Sequence, residues 1–238
     1  MAQPVDPVRS RRTRLLLAAV VLVVSLMLLR LPLQGYLLRP GPVFPLASQV
    51  TVEGASPLTG DFLFTTIQLD GATIWTALAA SFDPDVRLVS RQAVLGTASE
   101  QDFLADQQAL FDQTEELAIS LALEITGSDL PPSAVTITGD GVGGPSAGLL
   151  ITLAVADLAS DDDIAGGRLI AGTGAVTETG AVRSVGGLSD KIAAAEGAGA
   201  SVFLVPQGLL ADARATGTSM TLIPVTTVGQ AVQALTRR

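Results

Sequence analysis

"AVTITGDGVGGPSAGLLITLAVADLA", residues 134–159, contains a short β pattern, a glycine-rich loop and an apolar run of helical length. Residues 134–138 predict a strand and residues 139–144 a flexible loop. Pro145 then stands in the first turn of a buried helix that continues to Ala159. A strand, a glycine-rich loop and a helix opening on Ser146 form the start of an alternating α/β pattern, and the rest of the chain is read outward from it.

Downstream the alternation continues. "RLIAGTGAV", "AVRSV", "SVFLVP" and "MTLIPV" predict strands, separated or followed by helices over about 188–196, 207–215 and 228–235. Thr179-Gly180 is the turn of a hairpin joining Val176 to Val182. The expected fold is α/β, a mixed sheet with packed helices, over residues 131–238.

Upstream, Ser99 followed by Asp102 has the spacing of a capping box. It opens a helix within 99–126 whose apolar positions are Phe103, Leu110, Thr114, Leu117, Leu121 and Ile125. Residues 39–98 form a β-rich segment. Arg39-Pro40-Gly41-Pro42 is a stiff exit linker, and residues 49–70 are two strands around a Gly/Pro-containing turn. A short helix is expected over Ile74–Phe82 and a strand over Val86–Val94. Trp75 is expected to pack and Tyr36 to lie at an interface.

The N-terminus differs in character. Residues 1–14 form a basic tail carrying Arg9, Arg11, Arg12 and Arg14, and the chain then runs apolar from Leu15 to Leu29, with Ser25 its one polar residue. That run measures about 22 Å as a helix, short of a hydrocarbon core of about 30 Å. With Arg30 snorkelling and the apolar pattern resuming to Leu38, residues 15–38 are expected to form a tilted transmembrane anchor in the lipid bilayer. A cleavable signal peptide is the competing reading. The arginine cluster keeps the N-terminus cytoplasmic, which places the remaining domain outside the membrane.

Composition excludes several classes. The net charge of −9 leaves no basic stripe outside the N-terminus, so no nucleic acid is expected as partner. The chain has no cysteine and no histidine. A thiol nucleophile and the commonest general base are therefore absent. No Gly-x-x-x-x-Gly-Lys-Ser/Thr string occurs, so an ATPase module is not expected in this chain. No cofactor or metal is expected. Asp161-Asp162-Asp163 lacks further ligand spacing and is read as a solvated loop rather than a cation site.

Two residues carry candidate chemistry. Ser146 stands between small neighbours, Gly144-Pro145 before it and Ala147-Gly148 after, at a helix start whose N–H groups suit a developing oxyanion. Serine is also a common helix cap, so this string by itself is weak. Lys191 is the only lysine in the chain, against thirteen arginines. A guanidinium does not lose its proton in a protein, whereas a desolvated ammonium does. To serve as a base near neutral pH its pKa has to fall by roughly 3 from about 10.4, which costs about 4 kcal/mol. The Ile192–Ala195 surroundings suit such desolvation, and adjacent Asp190 is expected to turn towards solvent. Ser189 is expected to be a helix cap rather than a nucleophile, and Glu178 to be exposed on the hairpin.

"GGPSAGL" together with "AGTGAVTETGAVRSVGGLSDKIAAAEGAGASVFLVP" closely resembles the proteolytic domain of the Lon peptidases, over about residues 133–230. The resemblance implies a serine endopeptidase with a Ser–Lys dyad: Ser146 as nucleophile, Lys191 as general base. Thr173 takes the place of a threonine lying near the catalytic lysine, and Gly144, Pro145 and Ala147 support the nucleophile. It also implies unfolded polypeptides or peptides as substrates and a homo-oligomer, in the family's case a hexameric ring. Two positions depart from the family's pattern. Gly143 stands where an acidic residue is common, and Ala175 where a glutamate is usual; Asp140 is the nearest acid. With its anchor the chain is similar to bacterial membrane-bound Lon-type peptidases that carry a PDZ domain, but no stretch of PDZ length is evident. Two other readings stay open. One is a non-catalytic Lon-like scaffold that binds polypeptides or forms a ring. The other is a peptidase that needs a partner to order the loop Gly139–Gly144.

Overall fold

The computed structural model describes residues 7–138 and 143–237. Asp140 and most of the loop Gly139–Gly144 lie outside the described residues. The chain begins with α1 (Pro7–Leu29), β1 (Pro32–Pro45), β2 (Val50–Val52) and β3 (Asp61–Thr73). Next come α2 (Ile74–Ala80), β4 (Arg87–Ser90), α3 (Arg91–Leu95) and the long α4 (Glu100–Thr126). β5 (Val135–Ile137) and α5 (Gly148–Leu158) lead to β6 (Leu169–Gly172) and the hairpin of β7 (Ala175–Val176) and β8 (Val182–Arg183). The chain ends with α6 (Leu188–Gly197), β9 (Val202–Pro206), α7 (Leu210–Ala215), β10 (Thr221–Val225) and α8 (Val228–Thr236).

Six strands form one mixed sheet in the order β10-β9-β6-β3-β1-β4. β3, β6, β9 and β10 run parallel, with Asp61 opposite Leu169 and Ile170 opposite Val202. β4 pairs antiparallel with the first half of β1. β2 and β5 make a separate antiparallel pair. Two compact units result: one of residues up to Leu38 with Leu69–Gly96, the other of Arg39–Gln68 with Thr97–Arg238.

The larger unit is a three-layer α/β/α body, and the period of two in its strands fixes the layers. Phe62, Phe64, Ile170, Val202 and Leu204 point into one core, with α5, α4 and α8. The residues between them, Leu63, Ala171, Phe203 and Val205, point into the opposite core, with Ile192 and Ala195 of α6 and Ala213 of α7. α5 is buried over its whole circumference from Gly148 to Asp157. Each large side chain it buries contributes roughly 1.5–3 kcal/mol, so this helix is the rigid axis of the unit.

Several expectations are corrected. Arg39–Pro42 is no linker but part of β1, where Thr66 Oγ1 donates to Pro42 O at 2.8 Å. The expected strand Val86–Val94 divides at Ser90, whose side chain accepts from Ala93 N and caps α3. Ser99 does cap α4, accepting from Asp102 N at 3.0 Å. The buried face of α4 is Phe111, Thr114, Ala118, Leu121 and Ala122, whereas Leu110 and Ile125 are exposed. The stripe is rotated because small residues face α5, where close approach matters more than bulk.

In the smaller unit, α1 stops at Leu29 and β1 starts at Pro32, so residues 32–38 do not prolong the helix. Proline fixes its own φ and lacks an N–H for the helical ladder. Among the described residues, no helix is long and apolar enough to cross a membrane. Trp75 is not packed but 57% exposed, because α2 buries none of its residues.

Candidate active site

β6 ends at Gly172, and the next residue, Thr173, is fixed by its main chain to the neighbouring strand, donating to Leu204 O at 3.0 Å. Its side chain is fully buried. This is the carboxyl end of a parallel strand, where open α/β sheets carry their sites.

Two elements meet there. Pro145–Ala147 is a turn of 3-10 helix that runs into α5. It is clasped to the residues after β6 by two main-chain bonds: Gly174 N donates to Ser146 O, and Leu149 N to Gly174 O, both at 3.0 Å. Gly148 has a packing reason to be glycine, since a Cβ there would lie 2.9 Å from Val176 Cγ2 and 3.0 Å from Thr114 Cγ2. The second element is α6, entered through Gly187 at φ +70°. Gly187 rather than Ser189 occupies the cap position, because the left-handed backbone makes the turn without any side-chain bond. Ser189 is exposed inside the first turn.

Lys191 therefore projects from the first turns of α6 beneath the sheet end. Only 3% of it is exposed. Its Nζ donates to Thr173 Oγ1 at 3.1 Å, and Thr173 Oγ1 reaches Ser146 O through a long contact of 3.4 Å. Thr173 thus joins the lysine to the serine turn. Burial of the ammonium among apolar neighbours lowers its pKa from 10.5 to about 8. Asp190 does not face solvent as expected; it is buried, only 4% exposed.

The other sequence candidates divide clearly. Pro145 and Ser146 are half-buried, and Ala147 is fully buried. Gly144 is buried at φ +86° and donates its N–H to the main-chain oxygen of Gln107 at 2.8 Å. Ala175 is half-buried on β7, and Glu178 is exposed. Asp161–Asp163 are exposed and border a cleft of about 520 Å³ that also touches Leu58, Thr59 and Asp157. This cleft lies at the far end of α5, and neither Ser146 nor Lys191 lines it. Among the described residues no group of His, Cys, Asp or Glu is arranged to hold a metal ion.

Sequence reasoning missed Gln107. A Cβ on Gly143 would approach Gln107 Cβ to 2.9 Å, and one on Gly144 would approach Gln107 Oε1 to 2.7 Å. Gln107 thus covers the glycine strand leading to Ser146. Its signal was available: it stands four residues after Phe103 and four before Phe111, a polar residue in the inward stripe of α4.

The mixed sheet thus carries, at the end of one of its parallel strands, the turn that holds Ser146 and a buried lysine whose pKa is lowered. Residues 135–236 match the family model of the Lon protease (S16) C-terminal proteolytic domain. This part of the chain is a Lon-type proteolytic domain, the domain of a serine peptidase. No curated protein matches the chain.

Proposed function

We propose that the protein is an endopeptidase in which Ser146 is the nucleophile and Lys191 the general base. The observation that carries this reading is the buried Lys191 ammonium, with a pKa near 8 and a hydrogen bond to Thr173, itself in contact with the serine turn. In acylation the neutral amine takes the Ser146 hydroxyl proton as Oγ adds to the scissile carbonyl carbon. The main-chain N–H groups of Ser146 and Ala147, in the turn ahead of α5, stabilise the oxyanion. The ammonium then protonates the leaving amine, and the C–N bond breaks. In deacylation the amine takes a proton from water as it attacks the ester, and returns it to Ser146 Oγ. Thr173 accepts one N–H of the amine, which leaves the lone pair for the hydroxyl proton.

The reaction as proposed needs no ATP, and its substrates are unfolded segments or peptides, since the chain carries no P-loop string to drive unfolding. We also propose that α1 anchors the protein in a membrane, with its arginine-rich end inside and the peptidase outside. Its support is the run from Leu15 to Leu28, whose large apolar side chains are 49–68% exposed around the whole helix. A helix apolar on all sides and not buried in protein fits lipid better than water. The run is short, so anchoring requires local thinning of the bilayer or burial of flanking residues. A homo-oligomer, in ring form, is proposed on the family's habit alone.

The test is cleavage of casein and peptides by the full chain without ATP. Ser146→Ala and Lys191→Arg are expected to abolish it, and Ser189→Ala to leave it intact. Activity surviving Ser146→Ala would sink the mechanism. A wild-type chain that binds but never cuts polypeptides would favour a scaffold.

A further inference from the structure

The smaller unit exposes many large apolar side chains, and not only on α1. Trp75 is 57% exposed, Leu78 52% and Phe82 84%, with Ile74 and Leu88 also open. Ile74, Leu78 and Phe82 succeed one another at intervals of four, and Trp75 adjoins them, so α2 and the turn after it present one apolar face. No residue of α2 is fully buried, and Ile74, Trp75 and Leu78 are all exposed, so this face stays outside the core of its own unit.

Its position indicates what covers it. Ile74 N donates to Leu31 O at 3.2 Å, which ties the first residue of α2 to the chain just beyond the last residue of α1. Leu31 and Leu33, on the same connection, are exposed as well. The exposed apolar surface of α1 therefore continues through Leu31 and Leu33 onto α2. A protein partner on a helix usually covers one stripe, but the Leu15–Leu28 part of α1 exposes large apolar side chains on every side, and the medium that satisfies every side at once is lipid. The run Leu15–Leu29 falls short of the hydrocarbon core by about 8 Å. A short anchor draws the structure at its outer end into the interface, and α2 is the element tied to that end. Tryptophan with leucine and phenylalanine is the composition favoured at that depth, and Arg30 is placed to reach the headgroups.

We propose that the α2 face formed by Ile74, Trp75, Leu78 and Phe82 lies in the outer interface of the bilayer and is a second membrane contact beside the anchor. The inference rests on the anchor reading of α1, but the two fail separately. Trp75 is the only tryptophan in the chain, so its fluorescence reports this face without labelling.

The experiment uses the full chain in phosphatidylcholine vesicles, with flotation to report the anchor. Trp75 emission is read against acrylamide in the water and against lipids brominated near the glycerol end of the acyl chains. The expected result is flotation, a blue-shifted emission, quenching by the brominated lipid and protection from acrylamide. The double variant L78D/F82D changes exposed side chains only; it should still float and cut peptide, with the blue shift and lipid quenching lost. Flotation with an unshifted, acrylamide-quenched Trp75 would overturn the α2 contact and leave the anchor standing. Protection from both quenchers would overturn it in favour of a second copy of the chain on this face. Failure to float would overturn the anchor, and the α2 contact with it.

Discussion

Lys191 Nζ lies 3.1 Å from Thr173 Oγ1, although the two residues come from different elements, a helix and the end of a strand. The hydroxyl accepts from the amine and turns its own proton towards Ser146 O. Thr173→Val keeps the volume but removes both functions, leaving a buried amine without its partner. The expected cost is about 1–3 kcal/mol of stability, from the desolvated donor. kcat should fall by about tenfold or more with KM little changed, because the group orients a base rather than binding substrate. Thr173→Ser should recover most of kcat, a rescue that a purely packing role does not predict.

On the proposed mechanism, the pH dependence of activity originates in the lowered pKa of Lys191. Activity should rise with pH through about 8 as the amine loses its proton, and then level off. Stability has its own sign. Below about 8 the lysine is charged in both folded and unfolded chains, and folding carries the cost of burying it. Between about 8 and 10.5 only the unfolded chain keeps the proton, so stability rises with pH across that window. The size expected is roughly 3 kcal/mol, read from the difference between the two pKa values. Urea melts of wild type and Lys191→Met should diverge below pH 8 and lose that part of their pH dependence in the variant.

Gly144 separates strain from crowding. Its φ of +86° is costly for any L-residue, and an added Cβ would also strike Gln107 Oε1. Gly144→Ala should cost about 1–3 kcal/mol and lower kcat/KM. In a Gln107→Ala background the clash is gone but the backbone penalty remains, so the defect should persist. Recovery there would mean that crowding, not φ, required the glycine. Gln107→Ala alone keeps the main-chain acceptor of Gly144 N–H, so a modest loss of activity without unfolding is expected.

The candidate site could be named from the sequence for a reason that composition supplies. With no histidine or cysteine and a single lysine, few residues were left to act as a base, and the small residues beside Ser146 marked where a substrate can approach. Strands were readable as short apolar runs such as Val202–Val205, whereas their division residue by residue between two cores is visible only in the fold. What pattern did not reveal depends on three-dimensional neighbours. Asp190 is adjacent to Lys191 and helical geometry alone turns it to solvent, but the fold buries it as well. Arg39–Pro42 has the composition of a linker, and pairing with β3 makes it strand. Gln107 belongs to a helix far from Ser146 in sequence, and only folding brings it over Gly144.

Asp157 tests the other end of α5. Its carboxylate accepts from Ile164 N at 3.2 Å and Ala165 N at 2.8 Å, although burial pushes its pKa up. Asp157→Ala leaves two buried main-chain donors unpaired, which should destabilise the unit by about 2–3 kcal/mol. A lowered Tm with kcat unchanged at permissive temperature is the expected outcome, since the site sits at the opposite end of the helix.

β3 lies between β6 and β1 in the sheet, yet it comes from residues 61–73, well before the segment 135–236 that carries the family's pattern. Excising that segment would strip Leu169–Gly172 of its partner and leave an open strand edge directly under Thr173. The stretch recognisable by descent is thus smaller than the stretch that must fold together. Recombining this domain into another protein would have to carry Arg39–Gln68 along, and a swap made at the family boundary should yield an insoluble product rather than a weak enzyme.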